Sequence, residues 1–264
     1  MTKSAKRRSG DARQRIIDAI LATRVTSPRL SRKSDVRRYL QQYFANVPYE
    51  DLEGRSEEVM AGIALDHLEL GAVRRKNEAL LRIYNASEKE HGYTSQYTFV
   101  EMINDDMPFL VDSVASAINR HNLGVHITVH PIISARRDKN GKLTGIAPHG
   151  DSKAIAESFI RFAITRETNE KTLRQLHRDI MKVLGDVRVA VRDWEAMRQR
   201  MRETCSLLEN GPKGADPLTR SESQALLEWM ADDHFTFLGY REYKLVTRGG
   251  KHLLEPVART GLGL

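Results

Sequence analysis

The chain has 264 residues, 40% hydrophobic and 29% charged, a balance that suits one large or two small folded domains and excludes extensive disorder. No apolar run reaches the roughly 20 residues of a spanning helix, no hydrophobic stretch with a cleavage site follows the basic start, and the single cysteine, Cys205, makes neither an intrachain disulfide nor a zinc cluster, so a reducing, cytoplasmic setting is expected. Of the net charge of +7, residues 1–40 carry +9 and the other 224 carry −2, so the basicity belongs to the amino-terminal arm.

That arm is the natural place for nucleic acid or anionic lipid to bind. It has no interleaved aromatics before Tyr39 and matches no nucleic-acid motif, so a solvated helix face with a frayed tail at residues 1–10 is the preferred reading. Asp11 caps a first helix to about Thr26, stopped by Pro28. Ser34 opens a second, with Val36, Tyr39, Leu40, Tyr43, Phe44 and Val47 on one stripe and Pro48 at its end. A third runs from Ser56 to Leu70, with His67 expected at the edge of its buried face. Leu80–Tyr84 alternates like a short strand, and Asn85–Ser95 reads as a loop.

Gln96–Asn104 alternates Tyr97, Phe99, Glu101 and Ile103 against Thr98, Val100 and Met102, the pattern of an interior strand. Asp105-Asp106-Met107-Pro108 then predicts a helix start, with an Asp cap and proline in the first turn. The helix runs from Phe109 to Asn122, and Gly124, after Leu123, is expected to take the left-handed closing conformation. Val125–Ile133 alternates strictly, Asp138-Lys139-Asn140-Gly141 supplies a hairpin turn, and Leu143–Ala147 returns. Ser158–Thr165 is a further strand, followed by a helix from Thr168 or Asn169 to Leu184. The fold class is therefore α+β: N-terminal helices, then a ferredoxin-like antiparallel sheet with two helices on one face.

Val187, Val189 and Val191 alternate as a closing strand would, but the stripe through Trp194, Met197, Met201 and Leu208 favours a helix there. Gly211–Pro217 is a linker. A helix over Thr219–Asp233 burying Leu226, Leu227 and Met230, a strand over Phe235–Leu245 and a partner at Leu253–Val257 complete the chain. It stops without a closing element, as a piece of something longer would.

Little catalytic chemistry is visible. There is no phosphate-binding glycine loop, and Gly261 and Gly263 lie too near the end to open a dinucleotide fold. His126 and His130 lie about 13 Å apart along one strand, too far for two ligands of one zinc, unless His121 or His149 converges on them. Asp105, Asp106 and Asp112 read more simply as capping groups than as general acids. One ligand site has a physical argument. The amino end of the Phe109 helix attracts a carboxylate, and Asp105 and Asp106 receive an ammonium, as an α-amino acid would offer. The alternative is that these groups satisfy one another.

The strand, Asp106-Met107-Pro108, helix, Leu123-Gly124-Val125 succession resembles an ACT domain, a small amino-acid-sensing module. The block Asp105–Val114, with His130-Pro131-Ile132-Ile133, Arg137-Asp138-x-x-Gly141, Asp233–Tyr243 and Val47–Leu52, resembles the amino-terminal region of the large bacterial NAD-specific glutamate dehydrogenases over most of residues 34–264. The resemblance implies a parent enzyme that deaminates L-glutamate to 2-oxoglutarate and ammonia with NAD. It places the catalytic lysines and the dinucleotide domain in a longer remainder, with no catalytic, cofactor or metal residue in this chain. It further implies partners in that remainder and in sister subunits of a homo-oligomer. An amino-acid effector would meet Asp105, Asp106, Met107, Phe109, Leu110, Leu123 and Gly124. One position departs: ACT domains usually carry Gly after Asp-x-Pro, and here Phe109 puts a ring in that ligand space. The expected divisions are a basic arm (1–33), a helical segment (34–95), an ACT-like domain (96–192), a helical linker (193–234) and the start of a β-containing domain (235–264). The competing readings are a stand-alone amino-acid sensor and a basic-arm nucleic-acid binder.

Overall fold

The computed structural model describes residues 14, 15, 17–19, 21, 22, 30, 32–47, 56–209 and 216–264. The chain divides into two units, residues 1–183 and 184–264. The expected Asp11 cap, the Pro28 and Pro48 stops, most of the basic arm and most of the Gly211–Pro217 linker lie outside the described residues.

In the first unit, helix α1 (Lys33–Tyr43) and helix α2 (Glu57–Leu70) form where the apolar stripes predict them. The hydroxyl of Ser56 accepts the N–H of Val59 at 3.3 Å, which caps α2. The α1 stripe is buried from Val36 through Tyr39, Leu40 and Tyr43, and continues into Phe44 and Val47.

Six strands make one sheet: β1 (Leu80–Asn85), β2 (Tyr97–Asp105), β3 (Val125–Val129), β4 (Ile132–Arg137), β5 (Leu143–Ile146) and β6 (Ile155–Thr165). The order is β1-β2-β6-β4-β5, every pair is antiparallel, and β3 also pairs with β6. β6 is the axis. β2 lies along one side over its whole length, while β3 and β4 share the other. The sequence predicts one strand through Val125–Ile133. The structure breaks it at His130-Pro131, because proline has no N–H to give the ladder, and the Pro131 carbonyl still accepts from the Phe159 N–H at 2.9 Å.

The alternation in β2 divides the two faces as expected. Ile103, with Phe159, Ile133 and Ala135, packs on α1 and α2. On the other face lie helix α4 (Leu110–Arg120) and the start of helix α5 (Glu170–Glu209), joined by His121 and Asp179 at 2.8 Å. The split-βαβ plan is therefore present, with a permuted edge. The place beside β2 that a strand after the second helix would fill is held by β1, which precedes it.

Several expectations need correction. His67 is fully buried, not at an edge. The Asn85–Ser95 loop contains a short helix, α3 (Glu88–His91). β6 begins at Ile155, before the expected Ser158. The helix expected to stop at Leu184 continues to Glu209 as α5, so only that end point is corrected, and the helical reading favoured for residues 185–194 holds.

In the second unit, helix α6 (Pro217–Trp229) is capped by Asp216, whose carboxylate accepts the Thr219 N–H at 2.8 Å. It leaves Leu226 56% exposed rather than buried. A π-type turn, Met230–His234, ends with Asp233 at φ 58°. The expected Phe235–Leu245 strand is two pieces, β7 (Gly239–Tyr240) and β8 (Tyr243–Arg248); β8 pairs with β9 (Lys251–Pro256), and β7 with β10 (Leu262–Gly263). Among the described residues no helix is long and apolar enough to cross a membrane.

Candidate functional site

The strand-to-helix turn after β2 differs in detail from the capped start that its sequence suggests. Phe109, not an aspartate, is the N-cap of α4; its φ is 71°, and no side chain caps the helix. The two aspartates are engaged elsewhere. Asp105 accepts from Arg74 Nη2 at 2.7 Å and from the backbone N–H of Asn77 at 3.1 Å. Asp106 accepts from the Ser158 hydroxyl at 2.6 Å, and its N–H donates to the Ala156 carbonyl at 3.0 Å. Ser158 in turn lies 3.0 Å from His130 Nε2. Because the serine gives its proton to Asp106, His130 is the donor in that contact. Burial pushes the His130 pKa down, and the nearby Asp106 carboxylate works against that shift.

The remaining candidates fall in three places. Leu110 is buried under the first turn of α4, while Phe109 is 41% exposed. Met107 is half-buried between the aspartates and Pro108. Leu123 and Gly124 sit beyond the other end of α4, a helix of 11 residues and so about 16 Å long. There the Gly124 N–H donates to Thr165 Oγ1 at 3.1 Å, and Asn122 (φ 58°) takes the left-handed conformation expected of Gly124. The turn thus brings Asp105, Asp106, Met107, Phe109 and Leu110 together, and not Leu123 and Gly124.

Behind the turn lies a cluster of closed ion pairs on which the sequence pattern gives little purchase. Glu157, inaccessible to solvent, accepts from Arg74 Nε at 3.0 Å and Nη2 at 2.8 Å, and from Arg137 Nε at 2.6 Å and Nη2 at 2.7 Å. Arg137 Nη1 adds the carbonyls of Gly71 (2.9 Å) and Gly141 (2.8 Å). Gly141, in the predicted hairpin turn, has φ 83°, and a Cβ there would lie 2.5 Å from the Arg74 carbonyl oxygen. The hairpin therefore holds the cluster, which holds Asp105.

A second cluster crosses the same sheet face. Glu101, also inaccessible, accepts from Arg82 Nη2 at 2.5 Å and from Tyr84 at 2.9 Å, with Arg161 Nε at 3.5 Å. Burial raises its pKa, but the basic groups His67, Arg161 and Arg82 more than offset that and hold it below the usual carboxylate range. His67 is 3.3 Å from the Met102 carbonyl through Nε2, so Nε2 carries the proton and Nδ1 accepts from the Tyr43 hydroxyl at 3.2 Å. Burial lowers its pKa to about 4. The signal for both clusters was a charged residue, Glu101, Glu157 or Arg161, on an otherwise apolar strand face.

The four histidines considered for a metal go to separate partners: His121 to Asp179, His126 to Thr165, His130 to Ser158 and His149 to Ser134. Among the described residues no three metal-ligating side chains are grouped.

The family model of the glutamate dehydrogenase ACT1 domain matches residues 39–180. An NAD-specific glutamate dehydrogenase of Halomonas elongata is 32% identical over 234 residues, 88% of this chain and 14% of that protein. One of Pseudomonas aeruginosa is 32% identical over 228 residues, 85% of this chain and 14% of that protein. One of Mycobacterium tuberculosis is 25% identical over 182 residues, 68% of this chain and 11% of that protein. The chain thus spans about one seventh of the length of the first two relatives.

Proposed function

The chain belongs to the family of the glutamate dehydrogenase ACT1 domain, and on that premise we propose that it is the amino-terminal regulatory and assembly segment of a longer, cytoplasmic, NAD-dependent glutamate dehydrogenase. The reaction of that longer polypeptide would be oxidation of L-glutamate to 2-oxoglutarate and ammonia. The ACT-like domain is proposed to span about residues 96–192. Its partners are the rest of the polypeptide and sister subunits, and an amino acid is its proposed effector.

The observation that carries this reading is the match over residues 39–180 coinciding with the ferredoxin-like sheet and its strand-to-helix turn. The described residues do not fit NAD. A dinucleotide site needs parallel strands with a glycine turn opening onto a helix, and every strand pair here is antiparallel. NAD is therefore assigned to the part of the polypeptide outside this chain. The clusters around Glu101 and Glu157 support a structural role, since their charged groups face one another on an internal sheet face.

Incubating the purified chain with L-glutamate and NAD tests this assignment. No NADH is expected, and glutamate-dependent NADH formation by the chain alone would overturn it. Calorimetry with a panel of amino acids addresses the effector. Saturable binding lost in Asp106→Ala supports the turn as the effector site; undiminished binding in that variant removes it.

A further inference from the structure

The β8–β9 hairpin of the second unit turns at Gly249-Gly250, both with positive φ (57° and 74°), as a tight two-residue hairpin turn requires. Its register sets its two faces, because residues directly opposite one another project to the same side. On one face Arg248 spans the Val246–Leu253 pair to reach Glu255 at 2.6 Å. The other face is apolar at its base, with Tyr243 opposite Pro256 and Leu245 opposite Leu254, and ends near the turn in a Thr247–His252 hydrogen bond of 3.1 Å. Leu245 is 68% exposed, Leu254 66% and Tyr243 53%. Among the described residues, β8 and β9 pair with no other strand. A two-stranded ribbon is marginal in water by itself and becomes stable when its apolar face packs on something. This ribbon leaves that face open.

Two observations choose the occupant. The open face offers on the order of 400 Å² of surface, about half of the roughly 800 Å² per partner in a stable contact between separate molecules. So small a face suits a partner already tethered to it, where the link supplies an effective concentration of about millimolar. Such a tethered partner is at hand on the functional reading above, because the matched span is only 14% of each of the first two relatives.

We propose that the face of Tyr243, Leu245 and Leu254 docks an apolar surface of the same longer polypeptide, from the part outside this chain, and that the two share one core. The proposal rests on reading the chain as a segment of that polypeptide, and it adds which surface makes the joint.

Hydrogen exchange, read by mass spectrometry on the purified chain at low and high concentration and on the longer polypeptide, tests it. The amides of β8 and β9 are expected to exchange rapidly in the purified chain at both concentrations, and about a hundredfold more slowly in the longer polypeptide. Leu254→Glu in the longer polypeptide should restore the rapid exchange while β2 and β6 stay protected. Equal exchange in the two proteins, or slow exchange kept in Leu254→Glu, would overturn the proposal. So would protection in the purified chain: at both concentrations it assigns the cover to the chain itself, and at high concentration alone to a second copy. Protection of the longer polypeptide that is lost on dilution also assigns the face to another copy and overturns it. If Leu254→Glu fails to fold, the two unaltered proteins decide alone. NADH formation by the longer polypeptide is recorded beside the exchange. Protection without NADH removes the dehydrogenase reading and leaves the docking face; NADH without protection does the reverse.

Discussion

Glu157 and Arg74 meet through two hydrogen bonds, at 3.0 and 2.8 Å, with both side chains closed to solvent. Arg137 grips the same carboxylate from the far side. Glu157→Ala would leave two guanidiniums in the interior with backbone carbonyls and, for Arg74, the Asp105 carboxylate. The expected loss is about 3–5 kcal/mol, the range for breaking a buried pair. Urea unfolding of the variant beside the unaltered chain checks it, and a loss of less than about 1 kcal/mol would refute the role given to Glu157.

Gly141 ties this cluster to the hairpin. Its positive φ and the 2.5 Å approach of a Cβ to the Arg74 carbonyl act together. Gly141→Ala is expected to lose about 1–3 kcal/mol or more. Thermal unfolding measures this directly.

Phe109 is the opposite case. A bulky residue at φ 71° costs about 1–2 kcal/mol relative to glycine, while glycine adds about 0.5–1 kcal/mol of unfolded-state entropy. The residue is 41% exposed, so more than half of its surface is buried and removing the ring gives up about 1–2 kcal/mol. Phe109→Gly should leave stability unchanged or lower it by up to about 2 kcal/mol, read as the urea midpoint. It should also widen the effector site proposed at the turn, so any amino-acid binding lost in Asp106→Ala should strengthen in this variant, read by calorimetry.

His67 sets a pH dependence. Its folded pKa is about 4 against an ordinary value of 6.5, so the unfolded chain takes up the proton first as pH falls. Stability from this group is full above pH 6.5 and declines as pH drops towards 4. The decline amounts to about 3 kcal/mol. His130, also shifted downward, acts in the same direction. A His67→Leu variant should show a shallower loss of stability over that window in urea titrations at stepped pH.

Regular periodicity made much of the fold legible. The α1 stripe, the alternation of β2 and the Asn140-Gly141 turn each encode a local geometry that tertiary packing kept. The aspartates of the turn misled, because an ion pair to Arg74 and a hydrogen bond from Ser158 override local capping preferences. Asp105 shows why. Its partner Arg74 lies 31 residues before it, and Glu157, which shares Arg74, lies 52 residues after it, and no periodic pattern relates them. His67 was equally hidden, since nothing local shows that a carbonyl of β2 and the hydroxyl of Tyr43 would satisfy both ring nitrogens.

The assembly role is the central claim, and deleting residues 39–180 from the longer polypeptide tests it most directly, with native mass measured beside glutamate-dependent NADH formation. The account predicts a smaller assembly, or one whose activity no longer responds to amino acids. An unchanged mass together with an unchanged amino-acid response would contradict it.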